Sequence, residues 1–161
     1  MKATFALLGV LLGGCMLAQP GGGSAPDSKK ISLRFCWATV DEREGYVAAR
    51  DEAGQQLRVL PEPVVTEAGV ESASVWRNPA RNMVLVKLTP RAAAELEAAS
   101  AEHIGDRLAI YIDERLVLSP IVRKPLGGGK MYINGGFSGS EAESIVARLN
   151  TPRPTTQESI R

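Results

Sequence analysis

The chain has 161 residues, with 19 Lys+Arg against 18 Asp+Glu, one histidine and two cysteines. A balance this even excludes charge-driven binding to nucleic acid or anionic lipid, and the lone His103 excludes a multi-histidine zinc site. The length suits one modest core.

Lys2 supplies a short positive region, and Phe5 to Leu12 an apolar run. A membrane-spanning helix needs about 20 apolar residues, so this run reads as a cleaved secretory signal. Its ending, Leu12-Gly13-Gly14-Cys15, resembles the lipobox of bacterial lipoproteins. The resemblance implies a signal peptide over 1–14 and acylation of Cys15, which becomes the new N-terminus anchored in the membrane by lipid such as palmitate. Met16 stands where a retention Asp would, which implies the outer membrane, facing the periplasm. Residues 15–30 contain Pro20-Gly21-Gly22-Gly23-Ser24-Ala25-Pro26 and are expected to form a flexible linker. Residues 151–161, with two prolines and little apolar content, are expected to be a disordered tail. The folded domain is expected over 31–150.

Ile31 to Val40 alternates loosely and predicts a strand. Within it Cys36, left alone once Cys15 carries lipid, reads as a small buried hydrophobe, although a lone thiol outside the cytoplasm can also be a nucleophile or bridge two chains. Gly45, Gly54 and Pro61-Glu62-Pro63 break Asp41 to Thr66 into short strands and loops. Val70 to Arg77 and Met83 to Leu88 predict strands around a turn at Asn78-Pro79. Thr89-Pro90 places an N-cap before a proline at the first helical position. The helix Arg91 to His103 follows, with Gly105 as its left-handed stop. Strands are predicted at Arg107–Ile112, Leu116–Val122 and Lys130–Asn134, then a capping box Ser138–Glu141. The helix behind it carries Ala142, Ile145, Val146 and Leu149 on one stripe. This order predicts an α+β domain, its helices packed on one sheet face.

Ile104-Gly105-Asp106-Arg107-Leu108-Ala109-Ile110-Tyr111-Ile112-Asp113 resembles a stretch of SecD, Leu118-Ser119-Pro120-Ile121-Val122 its Ser-Ala-Pro strand, and Gly127 to Phe137 the glycine run before its last helix, where Glu141-Ala142 also matches. The resemblance is to the head subdomain of the first periplasmic domain of SecD, over Ile104 to Leu149 and back to Val70, fading across Asp41 to Thr66. It implies a ferredoxin-like, mostly antiparallel α+β module that, in SecD, contacts preproteins leaving the translocation channel. It also implies a partner here: a polypeptide, or a component of the envelope or export machinery. Against SecD, the chain is expected to lack the proton-driven transmembrane helices and to leave no room for the base subdomain. Glu114 replaces the family's usual hairpin Gly; primed turns require φ > 0, so a longer or bulged loop is expected.

Catalysis has little support. Cys36 or Ser138 would need His103 as base, yet His103 falls at a helix C-terminus, where capping is its ordinary role. Ser138 reads as an N-cap, and Gly127-Gly128-Gly129-Lys130 lacks the spacing of a phosphate loop. No cofactor or metal is expected. Strand parity turns Val75, Val84, Val86, Ile110, Ile112 and Ile133 inward, leaving Trp76, Lys87, Tyr111 and Tyr132 on the opposite face. Aromatics with a cation suit peptide contact. The competing expectation is that Ile31 to Thr66 folds across this face and buries it, since Trp37 must pack somewhere. A small-ligand or glycan site on the same aromatics is the other alternative to a polypeptide partner.

Overall fold

The computed structural model describes residues 31–51 and 53–152. The expected signal peptide, Cys15, the linker and most of the expected tail lie outside these residues. The α+β class holds: among the described residues all strand pairings are antiparallel, and there are two α-helices and a short 3-10 turn at Glu67–Gly69. The strands divide between two sheets, a five-stranded one ordered β2-β3-β1-β6-β7 and a three-stranded one ordered β4-β5-β8. Their ranges are β1 Leu33–Thr39, β2 Val47–Arg50, β3 Gln56–Thr66, β4 Val70–Asn78, β5 Arg81–Leu88, β6 Arg107–Ile112, β7 Arg115–Leu118 and β8 Lys130–Ile133. Helix α1 is Pro90–Glu102 and α2 is Gly139–Leu149.

The helices start where their caps dictate. Thr89 Oγ1 accepts from Ala92 N at 3.3 Å, and Ser138 Oγ from Glu141 N at 3.1 Å. Gly105, at φ +93°, follows α1 as the left-handed stop. Alternation in the strands then fills one main core. Leu33, Phe35 and Trp37 on β1 lie directly opposite Ile112, Ile110 and Leu108 on β6. They meet Val84 and Val86 of β5, Ile133 of β8, Leu96 of α1 and Ile145 and Leu149 of α2. The expected inward set is buried except Val75, which is half-buried against the same core.

A second cluster occupies the other face of the five-stranded sheet: Cys36, Ala38, Leu57, Val59, Ala109 and Leu116, all buried, with Ala49 and Tyr111 beside them. Every member comes from a strand, so the sheet must cover this face itself. It does so by curling. Register shifts interrupt the β1–β3 and β6–β7 ladders, and bulges increase local twist. At the sheet's two outer strands, Ser119 Oγ, just past β7, donates to Asp51 Oδ2, just past β2, at 3.2 Å. Alanines and a cysteine fill the cluster because a tightly curled sheet leaves little room inside.

Two expectations need correction. β3 runs straight through Pro61-Glu62-Pro63, which the sequence suggested would break it. Ala38 pairs with Val59 and Cys36 with Pro63, so Leu60, Pro61 and Glu62 bulge opposite Trp37. β2 pairs only as far as Val59, so its ladder makes no demand on the prolines beyond. The second correction is the β6–β7 hairpin, whose connection is a tight two-residue turn rather than a longer or bulged loop, the ladder's irregularity falling further back between Ile110 and Tyr111. Ile112 pairs with Arg115, and Asp113 and Glu114 sit at φ +49° and +68°. Tertiary contacts hold them there. Asp113 Oδ1 accepts from Ser32 N at 3.1 Å, its carboxylate takes both Arg148 Nη1 at 2.6 Å and Nη2 at 2.8 Å, and Glu114 pairs with Arg34. Left-handed backbone costs a non-glycine residue about 1–2 kcal/mol, more than an exposed ion pair returns. Glu114→Gly is therefore expected to stabilise the domain by about 0.5–1 kcal/mol in urea unfolding. A destabilised variant would show that the Arg34 contact outweighs the strain.

Candidate functional site

The aromatic residues expected on one face separate into two places. Trp76 of β4 and Tyr132 of β8 meet on the outer face of the three-stranded sheet, edge to face, with ring centroids 5.9 Å apart and planes at 81°. Cross-strand register explains the contact. Trp76 lies opposite Met83, Ser74 opposite Leu85, and Leu85 opposite Tyr132, so one row of outward side chains spans all three strands. Trp76 retains 38% exposure and Tyr132 50%. Lys87 shares the face, with Nζ 3.0 Å from Glu71 Oε1. Residues 31–66 do not cross it; their strands extend the other sheet alongside β6.

Tyr111 is elsewhere. It stands on β6, half-buried beside the second cluster, with the Arg34 guanidinium 5.1 Å from its ring centroid. Burial first, and then the neighbouring Cys36, push its phenol above the usual range, partly opposed by Arg34. Ser72, Ser74, Arg81, Met83, Leu85 and Lys130 share the outward parity of the three-stranded sheet. The parity that places Trp76, Lys87 and Tyr132 outward places these residues outward as well.

The candidate nucleophiles do not assemble. Adjacent strand residues point to opposite faces, so Cys36 faces the second cluster while Trp37 faces the main core. His103 stacks on Trp37, with centroids 4.2 Å apart and planes at 11°, on the side away from Cys36. Burial raises the Cys36 thiol, an effect that Arg34 only partly offsets, and a protonated thiol is a poor nucleophile. Ser138 Oγ caps α2, whose Glu141 pairs with Arg115 beside the Asp113-Glu114 turn. His103 caps α1 near Arg107, at the opposite end of β6.

His103 belongs instead to a small polar cluster. Its Nδ1 lies 2.9 Å from Asp106 Oδ2, and Arg43 Nη1 and Nη2 each donate to Asp106 at 2.9 Å. Burial alone would raise the Asp106 carboxyl, but the hydrogen bonds and charges of Arg43 and His103 outweigh it and hold it below the ordinary range. A depressed folded-state value contributes stability above the unfolded value of about 3.9, lost as pH falls through the folded value. Asp106→Asn is thus expected to be less stable than wild type at pH 6, with the gap narrowing below about pH 4. Urea midpoints at pH 6 and pH 3 check this, and an equal gap at both would refute it.

With this geometry in place, comparison with known proteins identifies the architecture. The profile of the SecDF P1 head subdomain matches residues 43–152. The chain belongs to that family. The match reaches back across Arg43 to Thr66, where the resemblance read from sequence had faded. The protein translocase subunit SecDF of Thermus thermophilus is 32% identical over 127 residues, which is 74% of this chain and 17% of that protein. The SecD subunit of Calditerrivibrio nitroreducens is 30% identical over 91 residues, 56% of this chain and 17% of that protein. This SecD-head chain therefore spans only 17% of the length of these curated relatives. A solved structure of a membrane component SecDF that enhances protein export superposes with a TM-score of 0.61 at 21% identity, covering 76% of this chain and 63% of the other. SecDF in its super-membrane-facing form gives 0.60 at 23% identity, over 76% and 19%. At such identities the likeness is one of fold. No described helix of this SecD-head chain is long and apolar enough to cross a membrane.

Proposed function

We propose that this protein is a non-enzymatic lipoprotein of the cell envelope whose SecD-head domain binds polypeptide, either an exported chain or a component of the export machinery. Acyl chains on Cys15 would hold it to the outer membrane, with residues 15–30 as a tether and the domain in the periplasm. The observation that carries the binding reading is the open outer face of β4-β5-β8, where Trp76 and Tyr132 stand together over Met83 and Leu85. Amphipathic aromatics are the usual anchors of peptide contacts, and a face built on paired strands is rigid. The relatives are named as protein translocase subunits, which makes a polypeptide the natural ligand class. Tyr111, under Arg34 and half-buried, drops out of the docking set.

A photocrosslinking residue at Trp76 or Tyr132 in living cells is expected to capture polypeptides, and one at Tyr111 to capture far fewer. Equal, background-level capture from all three positions would overturn the reading.

A further inference from the structure

The outer face of β4-β5-β8 is arranged in rows, because residues directly opposite each other in antiparallel strands point the same way. Ser74, Leu85 and Tyr132 form one row, and Trp76 and Met83 lie one strand repeat further along. On the other side of the Leu85 row come Ser72, Lys87 and Lys130, with Lys87 directly opposite Lys130. Like charges facing each other across a ladder are unfavourable. Among the described residues one acid relieves this pair: Glu71, at the β4 bulge, whose Oε1 takes Lys87 Nζ at 3.0 Å. Among the described residues no acid pairs with Lys130, which is exposed. Arg77, of the opposite parity, is turned away to Glu143 on α2, while Arg81, of the outward parity, stands opposite Asn78 one row beyond Trp76–Met83 at the far end of the face. An apolar, aromatic surface thus adjoins a cationic row with one positive charge in excess.

We propose that this face selects extended polypeptide segments that carry an acidic side chain two residues from an apolar one, in the pattern acid-x-apolar-x-apolar. The inference rests on the polypeptide-docking reading of the same face and adds the chemistry of the segment. An extended chain lying along the strands repeats its side chains on one face every two residues, about 6.8 Å. That spacing matches the separation of the lysine, Leu85–Tyr132 and Trp76–Met83 rows. The apolar side chains rest on the aromatics, and the carboxylate meets Lys130 and shares Lys87 with Glu71.

The test uses three labelled peptides in identical flexible flanks, Glu-Ser-Leu-Ser-Phe and its Gln and Lys counterparts, titrated by fluorescence anisotropy. The Glu peptide is expected to bind about two- to five-fold more tightly than the Gln peptide, the range for exposed ion pairs, with the Lys peptide weakest. The preference should shrink at high salt. Lys130→Gln should erase most of the difference and Lys130→Glu should reverse the Glu–Lys order, both with unfolding midpoints near wild type. Equal binding of all three peptides to wild type would overturn the acid preference and leave polypeptide docking standing. No binding of any peptide to the folded protein would overturn both.

Discussion

Cys15→Ser is expected to abolish acylation and lipoprotein-type processing, leaving an unprocessed precursor. The requirement is covalent. The first step transfers a diacylated lipid group to the cysteine sulfur through a thioether bond, and cleavage before residue 15 depends on the modified side chain; an oxygen in place of sulfur supplies neither. The proposed outer-membrane attachment should be lost with the lipid, because several acyl chains together anchor stably where one binds marginally. The domain should be unaffected, since its first strand starts at Leu33, well beyond Cys15. Metabolic labelling with an acyl analogue, followed by fractionation, reads both effects. Normal labelling of Cys15→Ser would mean that the Leu12 to Cys15 ending is no lipobox, and the proposed location would fall with it.

Gly135→Ala is expected to destabilise the domain by about 2–4 kcal/mol, a large loss for one methyl group. A Cβ at Gly135 would stand 2.6 Å from Phe137 Cε1 and 3.1 Å from Cε2. The ring has little freedom to yield, being 5% exposed in the main core, and the Phe137 carbonyl takes Asn82 Nδ2 at 3.3 Å. The Gly135 carbonyl in turn accepts from Arg115 Nη2 at 3.3 Å, so the backbone is also tied. Gly136 provides the internal contrast. Its φ is +66° but nothing lies within 4 Å of an added Cβ, so Gly136→Ala should cost only the backbone strain, about 1–2 kcal/mol. Urea unfolding of the two variants side by side checks the ranking. A Gly135→Ala midpoint equal to wild type would show that the ring repacks freely.

Local signals carried most of the elements. Thr89-Pro90 and Ser138 mark the helix starts because a cap acts over three or four residues, and the Ile145–Leu149 stripe declares its buried face for the same reason. What the sequence hides is which strands share a sheet. β1 pairs with β6 across some seventy residues, from Leu33 opposite Ile112 to Ala38 opposite Arg107, and no periodicity encodes a contact that distant. That is why Tyr111 could be given a face by parity and still be grouped with Trp76 and Tyr132, which belong to another sheet. Pro61 and Pro63 misled for a related reason: proline forbids a ladder bond, yet a bulge beyond a short neighbouring strand asks for none. The strained turn at Asp113-Glu114 defied turn chemistry because Arg148, Ser32 and Arg34, all far off in sequence, hold it in place.

That turn also makes the domain portable. Ser32, at the entry to β1, and Arg148, in the last turn of α2, both bind Asp113, so the chain enters and leaves the fold at the same corner. A unit with neighbouring ends can be set into a loop of a larger protein at little cost in loop-closure entropy, or stand at the end of a tether, without its interior being redesigned. One architecture can therefore be carried as a small fraction of a long translocase subunit, as the 17% share in the curated relatives illustrates.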